Sequence, residues 1–193
     1  MGNPAYASDC IRIDPPLLDA PTEDTLKYVN GSRKWIDLAR MLMEEEVLIG
    51  ERNSPVKLKQ LHEKGLAVAE ERNGEFVAFA ALWPISESLY ELGSIWVHPS
   101  MRGTGLASKV FEECLERAAS ENVTVFLVTR EPRIMHLAQK AGWTEATREA
   151  WGKIISSTVD CCGPCECMDS DLLKHCPFKA VREECHMFFV ESQ

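Results

Sequence analysis

Residues 95–108 read Ile95-Trp96-Val97-His98-Pro99-Ser100-Met101-Arg102-Gly103-Thr104-Gly105-Leu106-Ala107-Ser108, and the organisation of the chain follows from them. An apolar run suited to a strand passes through a short loop and opens directly into a helical pattern. Gly103 and Gly105 remove side chains where a backbone approaches a ligand closely. The first turn of a helix carries N–H groups with no intrahelical partner, and the helix dipole adds partial positive charge there. The loop is therefore suited to a phosphate group, with Arg102 adding a full positive charge at its mouth.

Around this stretch the chain alternates between strand and helix patterns. Downstream, Thr104 to Ala119 reads as a helix with Leu106, Val110, Phe111, Cys114, Leu115 and Ala118 on one face. Val123 to Thr129 is almost wholly apolar, as expected of a strand buried on both sides. Pro132 to Lys140 reads as a helix ended by Gly142, Trp143 to Ser157 as a strand, and Cys185 to Val190 as another. Upstream, Leu89 to Val97 is a strand, preceded by a hairpin: Leu66 to Ala69, a tight turn at Asn73-Gly74, then Glu75 to Trp83. Pro55 to Lys64 reads as a short helix with Ser54 as N-cap. Thr22 to Ile49 is helical in pattern, split at Gly31-Ser32, and Asp9 to Ile13 is a short strand before Pro15-Pro16. The order gives an α/β mixed sheet.

Two bare glycines before a helix also mark an ordinary turn, so competing phosphate motifs matter. A P-loop fails because no Gly-Lys-Ser/Thr closes the stretch. A dinucleotide fingerprint places Ser108 at its third glycine, and residues 98–102 lengthen a turn that motif needs tight. The pattern Gln/Arg-x-x-Gly-x-Gly/Ala, behind a strand ending in Val-x-Pro, is filled by Arg102, Gly105 and Ala107 behind Val97-His98-Pro99. In this the chain resembles the GNAT superfamily of acetyl-CoA-dependent N-acetyltransferases. The resemblance runs from about Leu66 to Trp143, with Ala141-Gly142-Trp143 where the family usually closes on Gly-Phe.

The resemblance implies a mixed, mostly antiparallel sheet flanked by helices, with a bulged strand and a splayed central parallel pair. It implies one such domain over 1–193, carrying a Cys-rich insertion at about 158–184. It implies that Ile95, Trp96 and Val97 offer backbone groups to the pantetheine arm of acetyl-CoA. Arg102, Gly103, Thr104, Gly105, Leu106 and Ala107 would hold the pyrophosphate, with Ser108 adding a hydroxyl. The reaction implied is direct attack of an amine on the thioester in a ternary complex. Glu91 is the candidate base, because some members carry a glutamate four residues before the position of Ile95; Glu87 and His98 are weaker candidates. The two-residue pleat places Glu91, Gly93 and Ile95 on one face. The chain departs from the pattern at Ala138, where many members carry a tyrosine acid, and at Glu131, where an Asn often opens the helix. His136 is the nearest helical substitute for the missing acid. A catalytically inactive acyl-CoA-binding or regulatory module is therefore the alternative reading.

Composition bounds the partners. Of 193 residues, 45% are apolar and 26% charged, enough for a core and an ordinary surface. The formal charge of −9 repels a phosphate backbone, so nucleic acid is not an expected partner. No apolar run approaches the roughly 20 residues of a membrane helix, and no signal-peptide pattern opens the chain. The expectation is a cytoplasmic protein taking a small-molecule or peptide amine; a homodimer is one candidate assembly, and the sequence leaves the oligomeric state open.

Six of the eight cysteines fall from Cys161 to Cys185. In a reducing compartment such clustering points to a metal more than to disulfides. Cys162-x-x-Cys165 has zinc-knuckle spacing, and Cys176 and Cys185 complete four thiolates. Redox-active thiols and disulfides are the alternatives. Elemental analysis of chain purified without chelator should find about one zinc per chain, as a closed four-ligand structural site requires. Paired cysteines in alkylated protein, with no zinc, would make the segment a disulfide-bonded appendage.

Overall fold

The computed structural model describes residues 33–45, 52, 54–129, 131–147 and 186–190. Helix α1 (Arg33–Glu45) buries Trp35, Leu38, Ala39 and Leu42, whose spacing of three and four residues makes one apolar stripe. Helix α2 (Pro55–Glu63) starts as its sequence directs: Ser54 Oγ accepts from the Lys57 amide at 3.4 Å, and Pro55 sits at a first position that needs no N–H partner. Strands β1 (Ala67–Arg72) and β2 (Glu75–Pro84) form the expected hairpin. Both turn residues, Asn73 at φ 54 and Gly74 at φ 84, take the left-handed region that a two-residue turn demands.

Strand β3 (Leu89–Val97) leads through a 3-10 turn at Pro99–Met101 to helix α3 (Leu106–Glu121), strand β4 (Thr124–Thr129) and helix α4 (Pro132–Lys140). The last described elements are β5 (Thr144–Glu145) and β6 (His186–Val190). The sheet runs β1-β2-β3-β4-β6-β5, with β3–β4 parallel and the other pairs antiparallel. This is the mixed α/β sheet expected. Helix α3 begins two residues later than its periodicity suggests, because Gly105 holds φ 85 and ends the loop there. Of the strand expected over 143–157, Thr144–Glu145 is observed and 148–157 lie outside the described residues.

The sheet separates two cores. On one face Val68, Ala80, Leu82, Leu92, Val110, Phe111, Val125 and Leu127 pack under α3 and α4. On the other, Trp35, Leu38, Leu58, Leu61, Phe76, Phe79, Trp83 and Trp96 pack under α1 and α2. Every residue of β2 from Phe76 to Trp83 is buried, because both layers rest on it.

Two irregularities shape β3. It pairs with β4 only at Leu89–Thr124, Tyr90–Val125 and Glu91–Phe126; beyond these the parallel strands part. On its other side Phe79 faces Trp96 and Ala81 faces Gly93, so Ala80 alone spans Ser94 and Ile95. That is a bulge, and Ser94 stands at φ 52 within it. The extra residue reverses the pleat. Leu92, Ile95 and Val97 serve the α3 core, whereas Trp96 packs in the α1–α2 core. Glu91, opposite Trp83, lies on the α1–α2 face, so the expectation that Glu91 and Ile95 share one is corrected.

Cys114 is fully buried in α3, and that burial pushes its thiol up to about 12. Since the thiolate is the reactive species, Cys114 should resist iodoacetamide at neutral pH in the folded chain and react once it is unfolded. Peptide mapping by mass spectrometry reads this out; modification of Cys114 under native conditions would refute the packing.

Candidate active site

The loop after β3 is held by its own side chains. The His98 amide donates to Val77 O at 2.9 Å, and His98 Nδ1 accepts from the Ser100 amide at 3.3 Å. Thr104 Oγ1 donates to Met101 O at 2.6 Å, and Arg102 Nε donates to Val97 O at 3.2 Å. Gly103 and Gly105 both lie at positive φ, 78 and 85, where a side chain would strain the backbone. The result is an exposed Arg102 beside the start of α3.

That start differs from those of α2 and α4. Ser54 caps α2, and the Glu131 carboxylate caps α4 by accepting from the Arg133 amide at 3.3 Å. Helix α3 has Gly105 at its N-cap and no side-chain cap. Its first-turn N–H groups are left for something outside the helix.

These groups border a cleft of about 500 Å³. One wall is the loop and α3, with Arg102, Gly103, Gly105, Leu106, Ala107 and Ser108; β3 contributes Ile95 and Val97. The opposite wall is the beginning of α4, with Glu131, Pro132, Arg133, Ile134, His136 and Leu137. Eight of the expected coenzyme-binding residues thus come together. Two do not line the cleft: the Thr104 hydroxyl turns back to Met101, and the Trp96 ring is buried on the opposite face. Of the α4 wall the sequence had singled out Glu131, at the helix-opening position, and His136, as a substitute acid; Pro132, Arg133, Ile134 and Leu137 were missed, because they are distant in sequence from the loop.

Glu91 stands where β3 and β4 stop pairing. Both its oxygens accept from Arg52, Oε1 from Nη1 at 3.0 Å and Oε2 from Nη2. The Arg52 guanidinium lies 5.3 Å above the Trp83 ring, and a Cβ at Gly93 would stand 2.9 Å from its Nη1. The missing side chain at Gly93 therefore lets the guanidinium lie against the strand. Trp83 Nε1 donates to the buried Ser94 Oγ at 3.2 Å, which ties the bulge to the same cluster. Trp96 Nε1 is buried with no hydrogen-bond partner among the described residues.

Ala138, which the resemblance pairs with a tyrosine, is fully buried in the α3-side core and offers no proton. His136 is exposed at the cleft. Cys162, Cys165, Cys176 and Cys185 lie outside the described residues; among the described residues no group of three or more His, Cys, Asp or Glu side chains could hold a metal ion. Among the same residues, no helix is long and apolar enough to cross a membrane.

The acetyltransferase (GNAT) family matches residues 35–143, the greater part of the sequence, and the chain belongs to that family. Among solved structures it is similar to Rv2747 from Mycobacterium tuberculosis, in complex with CoA and NLQ. The identity is 18% and the TM-score 0.52, over 81% of this chain and 93% of that one. It is also similar to an acetyltransferase of the GNAT family from Staphylococcus aureus Mu50, at 13% identity and a TM-score of 0.54, over 83% of this chain and 92% of that one. These likenesses show the fold. A search of curated proteins finds no match.

The Arg52–Glu91 pair has 11% exposure on each side, so removing one partner strands a charge away from water. Arg52→Met should cost about 3–5 kcal/mol of stability, the range for breaking a buried pair from one side. Equilibrium denaturation measures it; a change under 1 kcal/mol, the ordinary value of a surface pair, would show the pair to be solvated.

Proposed function

We propose that this chain is an N-acyltransferase that carries the acetyl group of acetyl-CoA to an amine, small-molecule or peptide, by direct attack in a ternary complex. The observation that carries the reading is the uncapped start of α3, facing a cleft with Arg102 on the same wall and the parted β3–β4 pair beside it. Free N–H groups and a guanidinium suit the pyrophosphate. The apolar Ile95, Val97 and Leu106 suit the pantetheine arm, and the edge of β3 beyond Glu91 has backbone groups to pair with it.

The parting of the strands joins the two faces of the sheet. The coenzyme enters from the α3 face, and the amine reaches the thioester from the α1–α2 face, where Glu91 lies. The amine nitrogen bonds to the carbonyl carbon, and the carbonyl oxygen becomes an oxyanion. In this reading backbone N–H groups at the bulge stabilise it. Collapse of the oxyanion breaks the C–S bond and releases CoA thiolate. Glu91 takes the proton lost by the amine, directly or through water. With Ala138 in place of a tyrosine, the thiolate leaves as such or is protonated by water.

A second reading, an acyl-CoA-binding module without turnover, draws on two observations. Ala138 supplies no acid, and Arg52 already occupies both oxygens of Glu91.

Acetyl-CoA should raise the melting temperature while NAD leaves it unchanged, and Arg102→Ala should weaken acetyl-CoA binding. Stabilisation by NAD alone would overturn the acyl-CoA reading. In an acetyl-CoA consumption screen against an amine library, the wild type should turn over. Glu91→Gln should then lower kcat on the order of 10²-fold with CoA affinity nearly unchanged. Binding without turnover on any amine favours the module.

A further inference from the structure

The chain carries a formal charge of −9, yet the cleft concentrates cations. Its charged lining is Arg102 and Arg133 against a single carboxylate, Glu131, with His136 a turn further along α4. The geometry of Glu131 explains how acid and base share this wall. Its Oε1 accepts from the Arg133 amide at 3.3 Å and from Arg133 Nε at 2.7 Å. One carboxylate thus caps the helix and fixes the guanidinium of the same residue at the helix start. The Glu131 amide in turn donates to Thr129 Oγ1 at 3.0 Å, which braces the cap against the end of β4. Arg133 holds the Glu131 carboxyl below its usual range, and Arg102 adds to that effect from the opposite wall. Two guanidinium groups therefore flank one carboxylate across the cleft.

The lining is also graded. Ile134 and Leu137 are partly buried and pack on the core, continuing the apolar floor of Ile95, Val97 and Leu106. The Arg133 side chain is 72% exposed, at the solvent rim. CoA has a matching polarity: an apolar-tolerant pantetheine arm, a pyrophosphate, and a separate phosphate on the ribose 3′-oxygen. Helix α3, uncapped, has amides for one phosphate site. Helix α4 has its first turn capped by Glu131 and presents a guanidinium instead.

We propose that Arg133, oriented by Glu131 and seconded by His136, binds the ribose 3′-phosphate of the acyl-CoA, so that this wall of the cleft distinguishes CoA from its 3′-dephospho form. This rests on the acyl-CoA reading above and adds a second, separate phosphate contact to it. Arg133 is a binding residue; Glu131 is a positioning residue acting through it.

Isothermal titration of the full chain with CoA and with 3′-dephospho-CoA tests it. The wild type should prefer CoA by roughly 10- to 100-fold, the range for one hydrogen bond to a charged group. Arg133→Ala should abolish the preference by weakening CoA alone, leaving 3′-dephospho-CoA affinity unchanged. Arg102→Ala should weaken both ligands, and Glu131→Gln should reduce the preference without abolishing it. Arg133→Lys should keep part of the preference, since the charge remains and the planar fork is lost. Equal weakening of both ligands by Arg133→Ala, or a preference that survives it, overturns the assignment while leaving the acyl-CoA reading intact. A wild type that binds neither ligand overturns both.

Discussion

A strand inside a sheet must find partners for its backbone on both edges, and β3 is denied them on one. After Glu91 it has no ladder with β4, and at Ser94–Ile95 it bulges away from the regular register with β2. Much of the site depends on this one departure. The gap leaves backbone groups exposed beside a cleft, and buried or cleft-facing polar backbone groups demand partners. The bulge also turns the side chains over, so that Ile95 and Val97 face the cleft while Glu91 and Trp96 face the other core. The strand supplies a floor on one side and a carboxylate on the other only because the pleat is broken between them.

The surroundings hold this irregular strand in place. Ser94 stands at positive φ, an expensive conformation for a serine, and Trp83 Nε1 fixes its hydroxyl. Arg52 clamps Glu91 just before the gap, using the space left by Gly93. Beneath, β2 is buried on both faces and gives the bulge a rigid neighbour. A site whose geometry must be kept to fractions of an ångström is thus placed on the most heavily packed part of the sheet.

The two helices that meet at the cleft divide the electrostatic work by their caps. Gly105 leaves α3 uncapped and its amides available, whereas Glu131 closes α4 and turns its contribution into a fixed guanidinium. In an acidic chain, such a local arrangement decides what binds, because the overall charge is screened over about 10 Å at moderate salt.

Local pattern carried much of this chain's reading. The hairpin turn at Asn73-Gly74, the cap and proline of α2, the bounds of α4 and the loop from Arg102 to Ser108 each depend on a few adjacent residues, whose φ preferences, caps and spacing act at short range. The glycine pattern, with the family resemblance it carried, singled out the loop that borders the cleft. What followed from the tertiary structure was longer in range. The bulge, which the family resemblance implied, comes from a mismatch between β2 and β3, and no residue in β3 alone sets its position. Its consequence, the reversal that puts Glu91 and Ile95 on opposite faces, defeats any reading that counts by twos. The partnership of Arg52 with Glu91 and the meeting of Arg133 with Arg102 across one cleft join residues far apart in sequence. Periodicity reports which way a side chain points along one element, and only the packing of elements against each other decides what it meets.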